Sequence, residues 1–305
     1  MCRVVVVIPS FDRPKTLEYV LDRIFNFYCI SKIIVVADAS RIEVKRLYEK
    51  VLSKYREKVV FNLNIGYRGS VKTRNAALKL AIENLGDAEY VLLLDDDFLV
   101  PNCSVIEKQL NRLRAFPDVG AVCGRVINIK KHRVDPEFNF GIPMTLASYL
   151  TRLTGFIFGG RWDKPRYGSY STSFMLIRAY LLKYVKFDEN YAGTGYREET
   201  DFQTQISMLG CKILCDPEVF VYHLAPETGG VRSYRDMPTR MYWKSRNHAY
   251  YIIKWNSNLF IRLWYLFCGT LILSVYRPQH LLWILRGLQH GYKGAMASKK
   301  DKVTL

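Results

Sequence analysis

Asp95, Asp96 and Asp97 follow directly on the apolar run Tyr90-Val91-Leu92-Leu93-Leu94. A short continuous apolar run reads as a strand buried on both faces. Open α/β sheets bind their ligands beyond the C-terminal ends of such strands. Packing gives no reason to crowd three like charges there, whereas a hard divalent cation does: Mg2+ is commonly held by one or two carboxylates plus substrate phosphates. A second acidic group, Glu198-Glu199-Thr200-Asp201, opens a helical pattern after a glycine-containing loop. Acids suit a first helical turn for the macrodipole alone, but three in four positions exceed that need. One of Glu198, Glu199 and Asp201 can serve as a general base while its neighbours bind arginine or backbone amides. His223 ends another short apolar run, where a neutral imidazole can ligate a Mn2+-type ion. Asp38, also at a strand end, can accept hydrogen bonds from a base or a ribose. Arg74-Asn75 opens a helix after Gly66 and Gly69, where a guanidinium can meet a pyrophosphate or a base.

The elements that must carry these residues alternate between short β-rich runs and helical patterns, as parallel βαβ units do. Strands are expected at 4–8, 33–36, 59–61, 90–94, 119–126, 174–177, 212–214 and 219–222. Helices are expected from Thr16 as cap, with Leu17, Val20, Leu21 and Ile24 on one face, and at 43–55, 71–84, 104–116 and 198–209. Residues 132–168 are rich in Gly, Pro and aromatics without a clean period, and are expected as an insertion over the open edge of the sheet. No internal repeat is visible.

The final third is chemically different. Residues 259–276 are almost wholly apolar, interrupted by Arg262; the charge-free part, 263–276, is short for a bilayer span of about 20 residues. Arg277-Pro278 breaks the run and 281–285 resumes it. Trp243, Trp255, Trp264 and Trp283 accompany many basic residues, the chemistry of a lipid–water interface. Of the net charge of +17, residues 228–305 carry +11, which suits nucleic acid, anionic lipid or phosphorylated substrates. The seven cysteines are odd in number and scattered, with no CxxC pair. They read as reduced thiols in a cytosolic setting. The run at 4–8 is too short for a signal-peptide core, so secretion of the catalytic part is not expected.

Taken together, Ile8-Pro9-Ser10-Phe11-Asp12-Arg13, Val36-Ala37-Asp38-Ala39-Ser40, Asn64 and Gly66 with Arg74-Asn75, Asp95-Asp96-Asp97, Phe187-Asp188-Glu189 with Glu198-Glu199-Thr200-Asp201, and His223 match one family in order and spacing. The chain resembles the family-2 glycosyltransferases, inverting enzymes of the GT-A fold. Ala37 and Ala39 stand where that family carries Asp and Gly. The resemblance, which covers residues 4–223, implies an α/β fold of GT-A type, a mostly parallel doubly wound sheet, and a nucleotide-sugar-binding catalytic domain at 1–227. The composition of the final third adds a C-terminal apolar helical extension at 228–305, basic, aromatic and membrane-interfacial. In this reading Asp38, Pro9 and Phe11 surround the base with Arg74 close by, and Asp95 reaches the ribose or base, with Asp96 beside it on the donor. Asp97 and His223 hold Mg2+ or Mn2+ at the diphosphate, and Glu199 deprotonates the acceptor hydroxyl.

The expected activity is transfer of a single sugar from a nucleotide-diphosphate sugar to an acceptor hydroxyl, on a lipid-linked saccharide or a cell-surface glycan precursor. Residues 240–247 do not match the Q-x-x-R-W signal of that family's polymer synthases, which favours transfer of one sugar at a time as the expectation. A polyprenyl-phosphate sugar synthase is the variant with a lipid phosphate as acceptor. A sugar nucleotidyltransferase would want a Gly-rich basic loop after the first strand, which Pro9-Ser10-Phe11 does not supply. A nucleic-acid partner is not expected, because no nucleic-acid motif accompanies the charge. Residues 240–296 are expected to meet the cytoplasmic face of the cell membrane, as a peripheral or monotopic contact.

Overall fold

A computed structural model describes residues 3–129, 139–161, 164–168, 172–224 and 236–303. These fall into two compact units, neither continuous in sequence. One takes its described residues from 3–129, 164–168, 172–188 and 199–224, the other from 139–161, 189–198 and 236–303. The boundary expected at 227/228 lies outside the described residues.

The first unit is built on one nine-stranded sheet. Its strands are β1 (Val4–Phe11), β2 (Ile30–Ala39), β3 (Val59–Ile65), β4 (Tyr90–Leu93), β5 (Phe98–Leu99), β6 (Val119–Asn128), β9 (Arg166–Tyr167), β10 (Met175–Arg178) and β11 (Lys212–His223). They run in the order β3-β2-β1-β4-β10-β6-β11-β5, with β9 against β11. The β-branched run Val4-Val5-Val6-Val7-Ile8 is at most 1% exposed, so it sits at the centre where helices cover both faces. Helices α1 (Pro14–Ile24), α2 (Ile42–Leu52), α3 (Ser70–Glu83) and α4 (Cys103–Ala115) connect the parallel strands, and α6 (Glu198–Met208) precedes β11. Leu17, Val20, Leu21 and Ile24 of α1 are buried as their spacing requires.

Two local expectations are corrected, at α1 and at β11, and the direction of one expected strand, β10, is added. Helix α1 starts at Pro14 without a side-chain cap from Thr16, because a proline in the first turn has no N–H to leave unsatisfied. The strand after the insertion, β10, enters antiparallel to both β4 and β6, which makes the sheet mixed. The two short strands expected at 212–214 and 219–222 are one strand, β11, whose pairing with β6 shifts between Asp216 and Phe220. Pro217 cannot donate to the ladder there, and buried Asp216 instead accepts from Arg112 Nε at 2.7 Å.

The second unit contains the paired strands β7 (Asn139–Pro143) and β8 (Gly159–Arg161), and helices α5 (Met144–Thr154), α7 (Met237–Trp255), α8 (Leu259–Tyr276) and α9 (Leu281–Val303). The described part of the irregular 132–168 segment thus has regular structure, and most of it belongs with the C-terminal helices. Residues 132–138 lie outside the described residues. Phe156, Met241, Leu273 and Ile284 form its apolar centre. Helix α9 approaches α7 closely through two glycines one turn apart: a Cβ on Gly287 would lie 2.3 Å from Tyr242 O, and one on Gly291 2.2 Å from Arg246 O. Helix α8 is the one described helix long and apolar enough to cross a membrane by length and composition, and only 22% of it is buried.

Candidate active site

The strand ends of the first unit surround a cavity of about 350 Å³. Pro9, Ser10 and Phe11 come from the end of β1, Arg13 from the turn into α1, Arg74 from α3, and Asp95-Asp96-Asp97 from the end of β4. Glu199 enters from the first turn of α6 and His223 from the end of β11. The fold therefore brings Pro9, Phe11, Arg74, all three aspartates, Glu199 and His223 to one cavity from five separate segments. Asp38, Glu198 and Asp201 do not line it.

Each of those three has a reason in its surroundings. Asp38 is fully buried and accepts from Arg68 N (3.0 Å), Arg68 Nε (2.9 Å) and Thr73 Oγ1 (2.7 Å). Its carboxylate anchors the loop between β3 and α3, in which Gly66 and Gly69 adopt positive φ of 91° and 101°. It stands behind the cavity wall, bonded to Thr73, which does line the cavity. Glu198 is 4% exposed, its backbone N–H bonded to Gly195 O, and its carboxylate packs under Gly195. Asp201 is fully buried and accepts from Gln205 Nε2 at 2.8 Å, one turn along α6. Of the three candidate bases only Glu199 reaches the cavity.

The aspartates stand in a defined network. Asp96 Oδ2 accepts from Ser10 Oγ (2.6 Å), and Arg13 Nη1 donates both to Asp96 Oδ1 (3.0 Å) and to Asp97 Oδ2 (2.7 Å). Ser10 gives its proton to Asp96, so Tyr48 OH donates to Ser10 Oγ at 2.7 Å and itself accepts from Arg13 N at 2.8 Å. Burial, and then the charge of Asp97, pushes the Asp96 carboxyl up to about 7, opposed by Arg13 and Ser10. Burial, followed by the charge of Asp96, raises the Tyr48 hydroxyl and keeps it protonated. Burial works against the Arg13 guanidinium, yet the charges of Asp96 and Asp97 hold its pKa above the ordinary value. Asp95 is more open: Arg74 Nη2 donates to its Oδ1 at 3.0 Å, and Ser173 Oγ donates to its Oδ2. The same Arg74 Nη2 lies 3.7 Å from Glu199 Oε1, and its guanidinium covers the Phe187 ring at 5.4 Å. Asn75 exchanges two hydrogen bonds with the Phe187 backbone, at 2.9 and 3.0 Å, which ties α3 to the segment that leads toward α6.

Asp97 and His223 give two donors of the kind a divalent ion takes; among the described residues no group of three or more His, Cys, Asp or Glu is placed to hold one, so substrate phosphates would have to complete the shell. Asn128 Oδ1 can only accept, so His223 Nδ1 donates to it at 2.6 Å, and Nε2 is left 3.2 Å from Asp97 Oδ2. An imidazole fixed through one nitrogen and facing a carboxylate with the other is how metal-binding histidines are held. Oxygen and imidazole donors match the harder divalent ions. On the other side of the cavity Phe11 and Tyr67 pair their rings at 4.4 Å and 34°, an aromatic surface of the kind on which a flat heterocycle stacks.

Sequence reasoning gave no role to Arg13, Ser10, Tyr48, Tyr67, Asn128 or Ser173. Arg13 and Ser10 lie inside a motif it quoted; Tyr48 and Asn128 carry no local signal, since only the sheet order brings α2 and β6 to the same strand ends.

The profile of the family described as Glycosyl transferase family 2 matches residues 5–185. No curated protein matches the chain. Among solved structures, the fold is similar to a mannosyltransferase, PcManGT from Pyrobaculum calidifontis, in complex with GDP-Man and Mn2+ (18% identity, TM-score 0.55, covering 99% of this chain and 79% of that one). It is also similar to S. aureus TarS 1–349 in complex with UDP-GlcNAc (16% identity, TM-score 0.53, covering 92% and 72%). A mycobacterial protein is a third such structure (15% identity, TM-score 0.52, covering 83% and 74%).

Proposed function

Because the chain belongs to glycosyl transferase family 2 and is a glycosyltransferase, we propose that its cavity takes a nucleotide-diphosphate sugar and passes one sugar, with inversion, to an acceptor hydroxyl. The observation that carries this reading is the convergence in one cavity of an aromatic pair, a carboxylate–imidazole pair and a separate carboxylate on a helix start. Those three parts answer to a base, a diphosphate and a proton to be removed. The similar folds support the donor class: PcManGT was solved with GDP-Man and Mn2+, and TarS with UDP-GlcNAc.

Phe11, Tyr67 and Pro9 form the base side, and Asp95, held by Arg74 and Ser173, faces the ribose. Asp97 and His223 would hold Mg2+ or Mn2+, which when bound neutralises the charge that builds on the departing diphosphate. Glu199 accepts the proton of the acceptor hydroxyl as its oxygen attacks the anomeric carbon from the side opposite the diphosphate. Arg74 positions Glu199 without touching the reacting atoms. A single displacement of this kind inverts the anomeric centre.

The acceptor we propose is lipid-linked, supported by the exposed apolar face of α8, where Phe260 is 83% and Val275 74% exposed. The basic, aromatic segment 240–296 then meets anionic lipid at the cytoplasmic face of the membrane.

The test is turnover of the full chain with a panel of nucleotide sugars, Mn2+ and glycan or lipid-linked acceptors. Release of nucleoside diphosphate, one added sugar and an inverted anomer are expected. Glu199→Gln should lower kcat by about 10²–10⁴ and leave donor Kd within about twofold. A product of retained configuration, or a Glu199→Gln enzyme at parental rate, would refute the reading.

A further inference from the structure

The first unit carries two cysteines that the proposed reaction does not use. Cys29 immediately precedes β2 and is 3% exposed; Cys103 is the first residue of α4 and partly exposed. Their Sγ atoms are 2.6 Å apart. Non-bonded heavy atoms sit best at ~3.5–4.0 Å, and a disulfide bond measures ~2.03–2.05 Å. The two sulfurs have therefore come well inside contact distance, each aimed at the other.

We propose that Cys29 and Cys103 are a cross-linking pair that closes to a disulfide on exposure to a small-molecule disulfide such as oxidised glutathione. The segments that bear them are already held together without the bond. Arg23 Nε donates to Val100 O at 3.3 Å, Arg23 also donates to Pro101 O, and Tyr28 OH donates to Glu107. Bond formation thus needs a movement of about half an ångström in sulfur position and no rearrangement of strands. Cys103 provides the way in, since it is partly exposed, whereas Cys123 and Cys215 are both fully buried.

The order of steps follows from the two environments. Cys103 is partly exposed and Cys29 is 3% exposed, with burial holding its thiol above the ordinary value, so Cys103 is the sulfur that meets the oxidant first. Its thiolate displaces one reduced small thiol from the oxidant and leaves a mixed disulfide on Cys103. Cys29 sulfur then attacks Cys103 Sγ and expels the second small thiol. The protein loses two electrons and two protons, which leave as the S–H groups of the two small thiols. The link closes a loop of about 75 residues that contains β2, β3 and β4, a constraint on the unfolded chain. The sequence reading took all seven cysteines as reduced; this pair departs from it through a proximity that no spacing in the sequence shows.

The experiment uses the purified full chain, treated with oxidised glutathione or with dithiothreitol, alkylated after denaturation and mapped as unreduced peptides. The expected result is a single linked peptide containing residues 29 and 103, two hydrogen masses lighter than the reduced pair and released by dithiothreitol. The oxidised chain should melt roughly 5–15 °C above the reduced one, a difference absent in Cys103→Ser, whose side chain is partly exposed. Alkylation of both Cys29 and Cys103 after oxidation, or a link from Cys103 to a different cysteine, would overturn the proposal.

Discussion

Arg13 is the residue on which the acidic cluster depends. Its guanidinium is buried and bridges two carboxylates that are themselves 6% and 7% exposed. Removing one member of a buried ion pair leaves the others uncompensated, at about 3–5 kcal/mol. Arg13→Met is expected to lower stability by that order in chelator, and added Mn2+ should restore part of it by supplying positive charge to Asp97. Chemical denaturation with and without the ion measures this; equal losses in both conditions would show that Arg13 acts on packing alone. At this scale the sequence was legible where charge stands against packing. Three aspartates after an apolar run announce themselves, as does a histidine at a strand end. Asp38, Glu198 and Asp201 announce themselves in the same way, yet the folded chain turns them inward, onto Arg68 and Thr73, toward Gly195 and onto Gln205. A carboxylate that anchors a loop and one that faces a ligand look alike until its partners are known.

At the scale of elements, α7 carries His248, fully enclosed, with Nδ1 accepting from Arg197 Nη2 at 3.1 Å and Nε2 donating to Tyr265 O at 3.4 Å. Burial, and then the charge of Arg197, lowers its pKa from 6.5 to about 3. Between those values the unfolded chain binds a proton that the folded one refuses, so this stability is present above pH 6.5 and is lost as pH falls. At pH 5 the loss is about 2 kcal/mol. Unfolding followed at pH 7 and pH 5 should show a larger acid penalty for the parent than for His248→Gln, which cannot take up that proton. Identical penalties would mean that His248 is not held neutral. Periodicity exposed α1, α3 and α4 because each covers the sheet with one apolar face. It failed at β11, where Pro217 hid the continuity of one strand; it found β10, whose antiparallel direction depends on a long excursion of the chain and not on its own four residues.

At the scale of the whole molecule, the apolar side chains of α8 and the start of α9 are the exposed surface with most to gain from lipid. Phe260, Phe267, Val275 and Leu282 are each more than half exposed, and Arg286 lies over Trp283 at 5.7 Å. The full chain is expected to float with vesicles containing anionic lipid and to remain in the pellet fraction with neutral ones at high salt. Phe260→Glu with Leu282→Glu should reduce vesicle binding at least about tenfold while turnover of a soluble acceptor persists. A chain that ignores anionic vesicles would remove the membrane part of the account and leave the cavity untouched. Composition showed the chemistry of this region, but grouping 139–161 with the C-terminal helices was not legible, because contacts between distant segments leave no local pattern.

The central claim is that Asp97 and His223 hold a cation for a nucleotide diphosphate in the cavity where Glu199 awaits an acceptor. Calorimetric titration of nucleoside diphosphates with Mn2+ into the parent, Asp97→Ala and Glu199→Gln tests it most directly. The account predicts equal, metal-dependent binding to the parent and Glu199→Gln, and a loss of the metal-dependent part in Asp97→Ala. Metal-dependent binding by Asp97→Ala as tight as the parent's would contradict it.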